Sequence, residues 1–190
     1  MIDPTKITDF NRNEIELQEY FLFCACVAGK TAYVQAKKLD DFLKPGRIRS
    51  MTPFEYIRDL QSRDHLLPMV EDAKLGQYKR LSQIFEMCAD LDLPNVTIGD
   101  LEAIPGIGPK TSRFFIMHTR PNQNIAILDT HILAWLQEQY PNITIPKATP
   151  QSTSRYKEFE DLFLAEAKKR KMNTETLDLQ IWNERARIAA

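Results

Sequence analysis

A proline-bounded turn at residues 105–110, with the sequence PGIGPK, holds the residues best suited to binding a charged group. Gly106 and Gly108 supply backbone freedom that only glycine provides at little energetic cost. A helix that starts directly after such a turn points N–H groups without helical partners, and the positive end of its dipole, out of the turn. This arrangement favours the binding of a phosphate group.

The helix before the turn is predicted from its N-terminal cap. Thr97 and Asp100 have the spacing at which a hydroxyl and a carboxylate close the first turn of a helix. We expect this helix to run to about Ile104. Pro105 then ends it, because proline cannot continue helical hydrogen bonding.

The helix after the turn begins at Pro109, whose missing N–H costs nothing in a first turn. We expect it to end near Thr119, because Pro121 disfavours helical geometry just before it. Residues 125–128 form a short apolar segment of extended character. Asp129 then stands where the N-cap of another helix belongs.

Two runs around this turn, IPGIGPKTS at residues 104–112 and ILDTHIL at 127–133, carry a resemblance to a known superfamily. Together they resemble the helix-hairpin-helix and Gly/Pro-Asp (HhH-GPD) signature of the base-excision DNA glycosylases, the endonuclease III superfamily. In that superfamily, a lysine early in the second hairpin helix and an aspartate after the Pro-rich loop form the active site. Lys110 and Asp129 match those positions, and the resemblance therefore implies that both are catalytic.

Four further blocks are similar to the short 8-oxoguanine DNA glycosylases of archaea and some bacteria. They are FCACVAGKTA at residues 23–32, LGQYKRLSQI at 75–84, AILDTHIL at 126–133 and LDLQIW at 177–182. The blocks appear in the right order and span nearly the whole chain. The resemblance implies a bifunctional DNA glycosylase/AP lyase of base excision repair that acts as a monomer on double-stranded DNA containing a damaged base.

The resemblance also implies DNA-binding residues. These are Gly106, Ile107, Gly108 and Thr111 at the turn, together with His131 in the helix after Asp129. A monovalent cation bridging carbonyl oxygens of the hairpin is part of the same expectation. For His131, the alternative is a neutral histidine in the core.

The base pocket implied by the resemblance contains Trp182, Phe23 and Phe114. For Trp182, an alternative is an anchor in the core with its indole N–H bonded.

Two departures from the pattern of the short 8-oxoguanine glycosylases and the wider superfamily leave the identity of the excised base open. The chain continues to residue 190 instead of ending soon after this tryptophan in a lysine whose carboxylate contacts the base, and Gly29 stands where other superfamily members tend to carry glutamine. Two alternatives therefore remain: excision of an oxidised or modified pyrimidine, and a helix-hairpin-helix module that binds DNA without chemistry.

Composition is that of a globular protein, with 43% hydrophobic and 27% charged residues and a net charge of −1. The basic residues are clustered, and Lys110, Arg113 and Arg120 lie beside the turn, where phosphate contacts need only local positive potential. The three cysteines form no disulfide framework, and with none after Cys88 the iron–sulfur cluster of many superfamily members is excluded. Three scattered histidines do not suggest zinc. We therefore expect no metal cofactor.

The rest of the chain reads as successive helices, and no segment alternates with period two, so the predicted fold is all-α. The predicted helices cover residues 14–28, 31–43, 52–61, 66–75, 78–91, 97–104, 109–119, 129–140, 152–171 and 174–188. The resemblance predicts one two-lobed glycosylase domain over residues 1–190, with a lobe of about 30–128 and a second lobe from 1–29 plus 129–190. Lys110 and Asp129 should face each other across the cleft. The longest apolar run, residues 20–28, is too short to span a bilayer, and we expect a cytoplasmic, nucleoid-associated protein.

Overall fold

The computed structural model describes residues 1–188, and the regular secondary structure in this range is helical, with no strand. The all-α prediction is confirmed. Within this range no helix has both the length and the apolar character needed to cross a lipid bilayer. The helices are α1 (Glu14–Cys26), α2 (Ala32–Ile48), α3 (Pro53–Ser62), α4 (Leu66–Asp72), α5 (Tyr78–Cys88), α6 (Ile98–Glu102), α7 (Pro109–Thr119), α8 (Thr130–Gln139), α9 (Thr153–Arg170) and α10 (Thr174–Ile188).

Side-chain caps begin several of these helices, as the sequence predicts. At α6 the Asp100 N–H donates to the Thr97 hydroxyl at 3.2 Å, and the Thr97 N–H donates to the Asp100 carboxylate at 2.9 Å. Thr52 opens α3 with a capping box of the same kind. Asn13 opens α1 with another, which the sequence did not predict. The caps are local, so sequence spacing alone suffices to find most of them.

Helix α2 is longer than predicted, because it runs through Pro45 and ends at Ile48 instead of residue 43. Packing explains the continuation. The backbone of Gly46 lies so close to Tyr56 of α3 that a Cβ built on this glycine would be 2.6 Å from the tyrosine Cγ. Tyr56 is itself buried. This contact holds the helix together across the hydrogen bond that proline cannot make.

The chain divides into two compact units, the first spanning Met1–Ile107 and the second beginning at Gly108. This division differs from the expected lobes, because α1 belongs to the first unit and α7 to the second. Packing is the reason: α1 lies against α2, α3 and α5, and α7 lies against α10. Lys110 and Asp129, which the sequence placed in different lobes, are therefore in the same unit. The two-lobed glycosylase domain stays a prediction.

The second unit is built around one apolar cluster. Its core side chains come from the non-helical segment before Asp129, from α8, α9 and α10, and from the loop between α8 and α9: Ala126, Leu128, Ile132, Leu133, Trp135, Leu136, Ile145, Tyr156, Phe159, Phe163, Ala167, Leu177 and Ile181. The segment at residues 126–128 is therefore buried within the unit that carries the candidate site.

Candidate functional site

The two glycines of the turn have different backbone conformations. Gly106 has φ +94°, a value that favours glycine, whereas Gly108 has φ −103° and ψ 178° and is the N-cap of α7. A Cβ on Gly106 would lie 3.0 Å from Arg80 Cγ, but one on Gly108 would meet nothing within 4 Å. The prediction that both positions require glycine for their backbone conformation is thus correct for Gly106. It is wrong for Gly108, because an extended N-cap suits any residue.

Arg80 fixes the Gly106 part of the turn. Its Nε and Nη2 donate to the Gly106 carbonyl at 2.9 and 2.7 Å, and its Nη1 donates to Gln77 at 2.7 Å and to the Ala25 carbonyl at 3.3 Å. Burial lowers the pKa of this guanidinium from its ordinary value. Two N–H bonds use both lone pairs of the Gly106 carbonyl, so this oxygen is not available to the cation implied at the hairpin. The sequence analysis covers Arg80 only within the block LGQYKRLSQI and gives it no role of its own.

Lys110 and Asp129 each occupy the start of a helix in the second unit. Lys110 lies in the first turn of α7 and is half-buried. Asp129 is the N-cap of α8, as predicted, and its Oδ1 accepts the N–H groups of His131 and Ile132, each at 2.9 Å. Both cap bonds use one carboxylate oxygen. The cap therefore fixes the direction of the carboxyl group without requiring Oδ2.

Asp178 brings these two residues into one electrostatic environment. This carboxyl group is on α10, which packs against both α7 and α8, and the residue is 6% exposed. Burial raises the pKa of Asp178 well above its ordinary value; the Asp129 carboxylate raises it further, and the Lys110 ammonium opposes the rise. Lys110 and Asp129 thus both act on the same buried group. In the sequence, Asp178 lies within the block LDLQIW, and the sequence analysis assigned it no role.

His118 is a second residue near Lys110 that the sequence analysis did not predict as a site residue. Its side chain is fully buried, and its Nε2 lies 3.8 Å from Asp178 Oδ2. Its ring contacts Phe114 edge-on, with centroids 5.3 Å apart. Lys110, Phe114 and His118 are spaced four residues apart and therefore follow one face of α7. A buried histidine at this position forms a polar contact between α7 and α10.

The other predicted DNA-binding residues have varied surroundings. Ile107 and Thr111 are buried, at 5% and 8% exposure, while Gly106 is exposed. His131, in the first turn of α8, is half-buried. His118 occupies a core position. A phosphate contact by His131 stays a prediction.

The predicted pocket residues are divided between the two units. Phe114 and Trp182 are in the second unit and both are half-buried, with Trp182 one helical turn after Asp178. Phe23 is in the first unit and fully buried. The base pocket stays a prediction. Whether the terminal carboxylate of the chain contacts the base concerns atoms outside the described residues.

Arg113 does not belong to a phosphate-binding surface, contrary to the expectation for the basic cluster beside the turn. The residue is 7% exposed, and its Nε donates to Glu160 at 2.8 Å. An arginine in this position cannot reach a DNA backbone from the protein surface. The distribution of charged residues along the sequence did not predict this ion pair, because Glu160 is far from Arg113 along the chain.

One cavity of about 480 Å³ occurs in the second unit, away from the candidate site. It is lined by residues 122–124 and by the adjoining ends of α9 and α10, including Lys168 and Thr174. No predicted site residue lines it. Residues 1–188 also contain no group of three or more His, Cys, Asp or Glu side chains that could hold a metal ion.

The chain was compared with protein-family models, curated proteins and solved structures. No protein-family model matches the chain, and no curated protein or solved structure matches it.

Proposed function

We propose that this protein is a bifunctional DNA glycosylase and AP lyase of base excision repair, with Lys110 as the nucleophile and Asp129 as the residue that stabilises positive charge. The observation that supports this most directly is that Lys110 and Asp129 lie at the starts of α7 and α8, the two helices against which α10 packs with its buried Asp178.

The proposed reaction starts with a nucleotide rotated out of the duplex, at a cost of a few kcal/mol. The Nζ of Lys110 forms a bond to C1′ of the sugar while the N-glycosidic bond breaks, and the base leaves with the bonding electrons and takes up a proton. Positive charge develops on the sugar during this step, and Asp129 stabilises it electrostatically. A proton then passes from Nζ to O4′ as the C1′–O4′ bond breaks, which opens the sugar ring and gives the protonated Schiff base. Loss of a C2′ proton expels the 3′ phosphate by β-elimination and cuts the strand on the 3′ side.

DNA is held in this proposal through the turn at residues 105–110. The Lys110 N–H and the positive end of α7 supply contacts for one phosphate, and His131 supplies a second contact. Arg113 contributes no phosphate contact, because it is buried. The net charge of −1 then keeps the affinity for undamaged DNA modest.

The proposed substrate is 8-oxoguanine, on the resemblance to the short 8-oxoguanine glycosylases; an oxidised or modified pyrimidine is the second candidate. The test is an excision panel on duplexes containing 8-oxoguanine, thymine glycol, uracil or a modified pyrimidine, with Asp129→Asn as the control. We expect wild-type protein to release 8-oxoguanine and the variant to do so far more slowly. Release of thymine glycol without 8-oxoguanine would overturn the assigned base, and DNA binding without any excision would favour a non-catalytic helix-hairpin-helix module.

A further inference from the structure

One carboxylate, Glu160 of α9, joins the helix that carries Lys110 to the segment that leads into Asp129. Its Oε1 accepts the Nε–H of Arg113 at 2.8 Å and the N–H of Ala126 at 2.9 Å. Arg113 is on α7, three residues after Lys110, and Ala126 is three residues before Asp129. Glu160 and Arg113 are both buried, at 7% exposure each. Two parts of the candidate site are thereby tied to one group.

Tyr156, one helical turn before Glu160, holds the same segment. Its hydroxyl donates to the Ala126 carbonyl at 2.8 Å and accepts the N–H of Leu128 at 2.9 Å. The Arg113 guanidinium lies over its ring, 4.4 Å from the centroid. Burial raises the pKa of Tyr156 far above its ordinary value, so the hydroxyl keeps the proton that it donates.

The segment at residues 126–128 lies outside the helices, and side chains satisfy several of its backbone groups. Besides the bonds to Glu160 and Tyr156, the Leu128 carbonyl accepts the hydroxyl of Thr149 at 2.8 Å. Asp129 follows directly, and its N–H donates to the Ile127 carbonyl at 2.8 Å. The position of Asp129 is thus determined from both sides, by these bonds before it and by its cap on α8 after it.

We propose that Tyr156 and Glu160 are positioning residues that set Asp129 at its working distance from Lys110; this inference rests on the proposed function. Stability alone does not account for the arrangement. A buried ion pair such as Arg113–Glu160 is commonly no more stabilising than apolar side chains of similar volume. What the pair provides is a fixed register between α7 and the residues before Asp129.

The consequence for the reaction is a requirement on geometry. A displacement of about 1 Å at a reacting group can lower a rate about 100-fold. Neither Tyr156 nor Glu160 needs to touch DNA for this effect, since each acts through Asp129.

The test compares Tyr156→Phe with Tyr140→Phe. Each variant loses only a hydroxyl. The hydroxyl of Tyr140 donates to Glu166 at 3.3 Å and, unlike that of Tyr156, this bond does not involve residues 126–128. The first readout is the single-turnover rate of base release at saturating damaged duplex. The second is the affinity for duplex containing a reduced abasic-site analogue, and circular dichroism confirms that each variant is folded.

We expect Tyr156→Phe to lower the single-turnover rate by about 10- to 100-fold with unchanged affinity, and Tyr140→Phe to leave both unchanged. Glu160→Gln keeps an acceptor for the Ala126 N–H but loses the charge that holds Arg113, so it should give a smaller fall in the same rate. A double-mutant cycle supplies the readout that a merely structural role would not change. In an Asp129→Asn background, Tyr156→Phe should cause little further loss, because the residue through which it acts is already disabled.

Three results would overturn the inference. An undiminished rate in Tyr156→Phe would show that the hydroxyl does not position Asp129. Losses that simply multiply in the double mutant would show that Tyr156 acts independently of Asp129. A wild-type protein that releases no base would remove the proposed function and this inference together, whereas the first two results leave the proposed function standing.

Discussion

Gly106 is the position in the turn where adding a single methyl group should have the largest effect. Its φ of +94° lies beyond the left-handed region that non-glycine residues occasionally adopt. Replacement by alanine should therefore cost about 1–2 kcal/mol for the backbone alone. Gly108→Ala is the matched control, because Gly108 has an ordinary φ and its Cβ would project into open space.

Contacts add to the cost at Gly106. The new Cβ would lie 3.0 Å from Arg80 Cγ and 3.3 Å from Ile84 Cδ1. Arg80 must then shift, which weakens two bonds from a charged donor to the Gly106 carbonyl, and each bond of this type is worth about 1.5–3 kcal/mol. Partial loss of these bonds brings the total for Gly106→Ala to about 2–4 kcal/mol. For Gly108→Ala we expect a change within about 1 kcal/mol, since the entropic gain offsets a poorer N-cap.

The assay is urea unfolding of both variants beside wild-type protein, with the midpoint and the slope measured for each. The expected result is a clear fall in the midpoint for Gly106→Ala and almost none for Gly108→Ala. Equal shifts in the two variants, or a larger shift for Gly108→Ala, would refute the explanation from backbone conformation and the Arg80 contact.

Three further predictions concern ionisable groups. Because the pKa of Asp178 is raised above its ordinary 3.8, the folded state binds this proton more tightly than the unfolded state, and wild-type stability relative to Asp178→Asn should fall as the pH rises from about 4 to 8. Asp100, whose pKa is lowered by its bonds to Thr97, should show the opposite: the advantage of wild type over Asp100→Asn is lost as the pH falls. Urea midpoints from about pH 2 to pH 8 check both, and parallel curves would contradict them. The three buried cysteines, whose thiol pKa values are raised by burial, should resist a thiol reagent in native protein and react in urea; rapid labelling of native protein would contradict this.

Sequence spacing was sufficient where a structural feature depends on near neighbours. The cap formed by Thr97 and Asp100 and the cap that Asp129 provides for α8 both involve groups within three residues of each other. Such hydrogen bonds follow from residue type and local backbone geometry. The starts of α6 and α8 were therefore predictable.

Features that depend on distant partners were not predictable in this way. The continuation of α2 through Pro45 depends on the fit of Gly46 against Tyr56 in another helix. From the sequence alone Arg113 was predicted to be a surface cation, because its partner Glu160 lies far along the chain. His118 was not predicted as a site residue, because its contact with Asp178 depends on the packing of α10. Burial of a charge is decided by tertiary packing, which a single sequence does not reveal.

The central claim, that Lys110 attacks the sugar with the help of Asp129, is tested most directly by borohydride trapping. Borohydride reduces a Schiff base to a stable amine and so links the protein covalently to damaged DNA. Wild-type protein should cross-link during turnover; Lys110→Gln should bind the same duplex without cross-linking, and Asp129→Asn should bind it and cross-link far more slowly. An undiminished cross-link in Lys110→Gln would contradict the assignment of the nucleophile.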